Sequence, residues 1–161
     1  MIALALAAAV TLAGADDLGR VTVNGLTLKV PKNWIVDDTE AGKNYESPDG
    51  EGQMELSVFP VEPKRAAREC MDQILEKLGR DGWDTARADG RPAARKVVID
   101  YVGGADAGRT ATKRISSVTH VGCNGELKWV LTVSSKANRA ARFGVLVRRV
   151  VESVSYGKGA P

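Results

Sequence analysis

Three runs of alternating apolar and polar residues follow one another in the second half of the chain: "ARKVVIDYV" (94–102), "RTATKRISSVTHV" (109–121) and "ELKWVLTV" (126–133). Only "GGADAG" and "CNG" join them. A period of two sends successive side chains to opposite faces of a strand, and connections this short allow only antiparallel neighbours. The spacing therefore predicts an antiparallel sheet. In its third run Leu127, Trp129, Leu131 and Val133 point one way, so one face is buried there. Upstream, "VTVNGLTLKV" places Asn24-Gly25 between two alternating runs. That pair best tolerates the positive φ angles of a two-residue turn, so residues 20–30 form a hairpin that Pro31 ends. "PKNW" then turns the chain so that Trp34 folds back on the sheet. After the turn "ESPDGEGQ", "MELSVFPV" sets Met54, Leu56 and Val58 against Glu55, Ser57 and Phe59 in a strand closed by Pro60. Trp34, Trp83 and Trp129 all fall in strands or strand starts, which marks them as core.

At two places the period changes to that of a helix. From Lys64 to Leu78, Ala67, Cys70, Met71, Ile74, Leu75 and Leu78 make one stripe, stopped by Gly79. On its solvated face, Arg65 and Glu69, and Arg68 and Asp72, are spaced to pair. A second stripe runs from about Asn138 to Ser153 and holds Ala140, Phe143, Val147, Val150, Val151 and Val154. Two helices covering a mostly antiparallel sheet give an α+β sandwich. The chain's 161 residues suit a single domain, placed at 16–156, with 157–161 as a frayed tail.

The first fifteen residues, "MIALALAAAVTLAGA", carry no charged side chain and end in a small-x-small pattern before Asp16-Asp17. They read as a signal peptide; the run is shorter than the roughly 20 apolar residues of a membrane span, so no stable span is expected after cleavage. Export to the periplasm or the exterior follows. In such a compartment a disulfide is the expected fate of two cysteines, one on the buried stripe of a helix (Cys70) and one at an inward strand position (Cys123). Lys and Arg exceed Asp and Glu by 23 to 20, too small an excess for the positive field that nucleic-acid binding needs.

The order of the pieces and the opening "GL-x-L-x-VP-x-x-W" (Gly25, Leu26, Leu28, Val30, Pro31, Trp34) resemble the PsbP-like superfamily over nearly the whole mature chain. That group includes an extrinsic subunit of the oxygen-evolving photosystem, a Ran-binding nuclear import factor and many exported bacterial proteins. The resemblance implies a PsbP-like sandwich whose members mostly bind other proteins. It carries over no catalytic motif and no functional residue.

The residues themselves offer a few chemical alternatives. "THVGCNGELKW" sets the only histidine, His120, three residues before Cys123. A thiol nucleophile needs a base within hydrogen-bond reach, but residues three apart on a strand face opposite sides. Cys123 shares parity with Val121 and Ile115, His120 with Val118; a bulge at Gly122 would be needed to bring them together. A metal site of Cys70, His120 and Cys123 meets the same parity objection and has no recognisable ligand spacing. Asp37, Asp38 and Glu40, or Asp49 and Glu51, are local carboxylates within reach of Ca²⁺ without the spacing of an EF-hand. "GGADAG" precedes a strand rather than a helix, so it is a hairpin tip and not a phosphate cradle. Arg139, Arg142, Arg148 and Arg149 flank the second apolar stripe, a pattern that suits an anionic membrane surface or, preferably, a helix packed on the sheet with its arginines in water. The expectation is a non-catalytic exported module, without cofactor or metal, that binds another protein or a cell-envelope component. The competing expectations are a small secreted enzyme using Cys123 and His120, and a module binding calcium or a small ligand through the 37–52 loops. Partner identity and oligomeric state are not legible.

Overall fold

The computed structural model describes residues 17–103 and 112–157. The predicted signal peptide, residues 104–108 of the glycine-rich tip and residues 158–161 of the tail lie outside the described residues.

Asn24 and Gly25, at φ 47° and 88°, turn strand β1 (Leu18–Val23) back into β2 (Leu26–Pro31), as the Asn-Gly pair predicts. A last short strand, β10 (Ser155–Tyr156), pairs with the free edge of β2 and completes a three-stranded sheet. The larger sheet has seven antiparallel strands. They are β3 (Ile35–Asp38), β4 (Gly42–Glu46), β5 (Gly52–Pro60), β6 (Asp84–Ala88), β7 (Arg91–Gly103), β8 (Thr112–Cys123) and β9 (Leu127–Lys136). Their spatial order is β3-β4-β5-β9-β8-β7-β6. Helix α1 (Ala67–Leu78) joins β5 to β6, and α2 (Ala140–Glu152) follows β9 after a single 3-10 turn at Ala137–Arg139.

The two helices take opposite faces of the large sheet. On one side Phe143, Leu146, Val147, Val150 and Val151 of α2 join Leu26, Leu28 and Val30 of the hairpin over Met54, Leu56, Val58, Trp129, Leu131 and Val133. On the other side Cys70 and Met71 of α1 meet Val61, Ala94, Val121 and Cys123. The α+β sandwich read from the sequence is present, with a cluster of apolar side chains on each face of its central strands. Each helix starts later than the periodicity suggests. Residues 64–66 stay outside α1: Ala66 is extended at ψ 140°, and the Arg65 amide donates instead to the Gly125 carbonyl at 3.2 Å. Leu78, counted on the buried stripe, is half-exposed on the last turn, where Gly79 at φ 80° ends the helix.

Trp129 organises the larger core. It lies opposite Gly122 in the β8–β9 register, fully buried, and its indole donates to the Tyr156 hydroxyl at 2.8 Å. The ring lies flat against the glycine: a Cβ on Gly122 would come within 2.5 Å of it. On the opposite face, a disulfide between Cys70 and Cys123 ties α1 to the end of β8 and closes a 53-residue separation.

Two consequences are measurable. Gly122→Ala should overpack the indole and lower unfolding free energy by about 1–3 kcal/mol, read from urea denaturation with an unchanged m-value. Cys70→Ser with Cys123→Ser should cost about 4 kcal/mol by the loop-entropy relation, seen as a drop in the urea midpoint that reductant does not deepen.

Candidate binding cleft

The β7–β8 and β8–β9 registers run without interruption through Gly122, so no bulge intervenes between His120 and Cys123. The two side chains therefore lie on opposite faces of the sheet, and the Cys123 sulfur is bonded to Cys70. A Cys/His pair and a Cys70-His120-Cys123 metal site are both ruled out by this geometry. Three of the five carboxylates considered for calcium, Asp38, Asp49 and Glu51, are drawn into ion pairs instead. Asp38 is held by Lys43, its cross-strand partner. Asp49 accepts from the Ser47 hydroxyl at 2.6 Å, the Glu51 amide at 3.0 Å and Arg142 at 3.1 Å, and these bonds pull its pKa down to about 2, the serine most strongly. Glu51 meets Lys136 at 2.5 Å and Arg139 at 3.6 Å. Among the described residues no three His, Cys, Asp or Glu side chains converge as a metal site, and no helix is long and apolar enough to cross a membrane. The same contacts divide the basic flank of α2: Arg139 and Arg142 are engaged by the Asp49–Glu51 turn, while its apolar stripe is spent on the sheet.

His120 is buried as well, at 6% exposure, because α2 covers the face it points to. It lines a cleft of about 430 Å³ between α2 and strands β6, β7 and β8. Ala86, Val118, Val147 and Val151 give the cleft apolar walls; Arg95 and Arg148 bring charge from the two sides. Arg95 stands directly across from His120 in the β7–β8 pairing, and Arg148 lies on the flank of α2 one turn from both Gly144 and Glu152, which also line the space. Arg87 of β6 also adjoins the space, but it alternates with Ala86, so its side chain lies on the other face and its guanidinium donates to the Gly90 carbonyl at 3.1 Å. The His120 Nδ1 is buried without a hydrogen-bond partner. Burial first, and the Arg95 charge second, lower the imidazole pKa to about 4, so the ring is neutral at neutral pH.

A second feature adjoins the cleft. Val97 pairs with Val118 and Ile99 with Ser116 on this same face, farther along β7 than α2 reaches, and they are 43% and 47% exposed. Two branched aliphatics here form an uncovered continuation of the core. The sequence identified Arg148 only as a helix-flank charge and did not single out Arg95 at all. Only the strand register shows that Arg95 and His120 share a site.

No protein-family model matches the sequence, and no curated protein matches it as a relative. Solved structures do match in three dimensions. A protein from Bacteroides thetaiotaomicron VPI-5482 superposes with a TM-score of 0.66 at 13% identity over 84% of this chain, which spans 46% of that one. The cyanobacterial PsbP of Synechocystis sp. PCC 6803 gives 0.59 at 12% identity, covering 94% of this chain and 98% of its own. The fold is PsbP-like. The Saccharomyces cerevisiae Ran-binding protein Mog1p has a TM-score of 0.51 at 12% identity, with 88% and 96% coverage. At these identities the likeness establishes the PsbP-like architecture alone, and agrees with the resemblance carried by the opening "GL-x-L-x-VP-x-x-W".

The buried imidazole makes stability depend on acidity. An unfolded histidine takes up its proton near pH 6.5, the folded one only near pH 4, with Arg95, Arg148 and Glu152 as the charged neighbours in the cleft. Its contribution is therefore complete above about pH 6.5 and declines as pH falls toward 4, by up to about 3 kcal/mol. Urea titrations across this range should show that acid limb in the wild type and a flatter one in His120→Gln.

Proposed function

We propose that this PsbP-like domain is a non-catalytic, exported accessory module that binds another protein or a protein component of the cell envelope through the β7–β8 face beside α2. The observation that carries the reading is the exposed Val97–Ile99 pair, which continues the core beyond α2 on that face. Apolar side chains that continue a core outward, with Arg95 beside them, have the mixed character of a protein contact: an apolar centre with an arginine at its rim. Two further facts support it. The sulfur nearest the only histidine is held in a disulfide, on the other face of the sheet. A protein of the same fold, Mog1p, is a Ran-binding protein. The disulfide also suits an oxidising compartment, in keeping with the apolar leader that opens the sequence.

The test is capture from the envelope fraction of the native host with tagged mature protein. Val97→Asp with Ile99→Asp should abolish capture of a specific protein while leaving the thermal midpoint within a few degrees, because both side chains are already half in water. Glu76→Arg, on the solvated face of α1, should leave capture intact. Equal capture by all three proteins would remove this face from consideration.

A further inference from the structure

We infer that the cleft between α2 and strands β6–β8 is a binding site for a small organic anion, with its carboxylate or phosphate between Arg95 and Arg148 and its short apolar body against Val118, Val147 and Val151. The inference stands apart from the protein-binding reading, since it concerns the recess under the flank of α2 and not the open strip at Val97 and Ile99.

Charge, a recess and an unfilled hydrogen-bonding site converge there. Two guanidinium groups, from Arg95 and Arg148, border the space, against one carboxylate of its lining, Glu152. Arg148 forms no ion pair among the described residues, although Glu152 lies one turn away. Arg95 has only a long contact of 3.7 Å to Asp84, on the edge strand. Two guanidinium groups facing each other across a recess favour an anion between them, and each offers paired N–H donors to two oxygens at once. The walls are aliphatic, and a volume of about 430 Å³ falls in the range of small-molecule sites.

His120 is the independent observation. A neutral imidazole has one N–H and one lone pair, and in a buried setting both normally find partners. Here Nδ1 has none, on a side chain 94% removed from solvent by its 6% exposure, in the wall of the same cleft. With its N–H on Nδ1, the neutral ring offers this unfilled position as a donor, which can meet an anion's oxygen without adding charge. Gly144 has no heavy atom within 4 Å of where its Cβ would lie, which leaves the α2 side of the entrance open to a ligand.

The experiment is a titration of the isotopically labelled mature protein with hexanoate, hexyl phosphate and inorganic phosphate, followed by NMR at the His120 imidazole and the arginine Nε–H groups. The inference expects saturable shifts at His120 and Arg148 with at least one of the two hexyl probes, and the tighter of them tells carboxylate from phosphate. Arg148→Gln should weaken that binding about tenfold, the loss of one charge-assisted contact. Glu152→Gln, which removes the opposing charge without touching the walls, should strengthen it. Absence of saturation by about 20 mM with every probe would overturn the site, being weaker than millimolar affinity. Binding unaltered in Arg148→Gln would also overturn it, and inorganic phosphate binding as tightly as hexyl phosphate would overturn the assignment of the apolar walls. Failure of the capture experiment at Val97 and Ile99 leaves these outcomes readable, because no partner protein enters the titration.

Discussion

The Val118–Cys123 end of strand β8 is covered on both faces, and the period of two along it decides which covering each side chain meets. Val121 and Cys123 face α1; Val118, His120 and Gly122 face α2 and the indole of Trp129. A shift of one residue would exchange these sets, placing the cysteine against the indole and the imidazole under α1. The disulfide holds the end of β8 to α1, and the close fit of Trp129 on Gly122 excludes any side chain at that point. Register is thereby specified twice, once on each face. The cleft depends on it, since Arg95 reaches His120 only through the same pairing.

Much of this architecture is written in the periodicity. The hairpin around Asn24-Gly25, the strands that hold Met54–Val58 and Leu127–Val133, and both helical stripes are visible because each buries one face, and burial imposes a pattern on residue type. The edge strands β3 and β6 left no such signal, and the interior β4 buries only Gly42 and Tyr45. All four residues of β3 are exposed, and β6 buries little beyond Ala88. An edge strand owes its form to backbone hydrogen bonds with its neighbour, and those demand no particular side chains. "IVDDTEAGKNYE" consequently reads as loop, although Asp37 pairs with Asn44 and Asp38 with Lys43 across β3 and β4.

The cleft was legible only in part, for a different reason. His120 attracted notice as the sole histidine, and parity alone separated it from Cys123. What parity cannot supply is the identity of the residue one strand over, or which turn of α2 lies above. Arg95, His120 and Arg148 are separated by 25 and 28 positions in sequence, and their meeting is a property of the assembled layers. Arg139 and Arg142, which look equivalent to Arg148 along the helix, are instead occupied by Glu51 and Asp49 from a turn nearly ninety residues earlier. Charge on one helix thus divides into a structural end and an end that borders open space.

The small sheet joins the two ends of the described chain. Strand β10 pairs with β2, the Gly157 amide donates to the Gly25 carbonyl, and the Lys29 amide donates to the Ser153 hydroxyl at 2.7 Å. The first hairpin therefore waits for almost the last residues before its free edge is closed. A polypeptide emerging from its N-terminus leaves that edge of β2 open until residues 155–157 have followed. The small sheet is thus the last part of the domain to close, after α2 is in place.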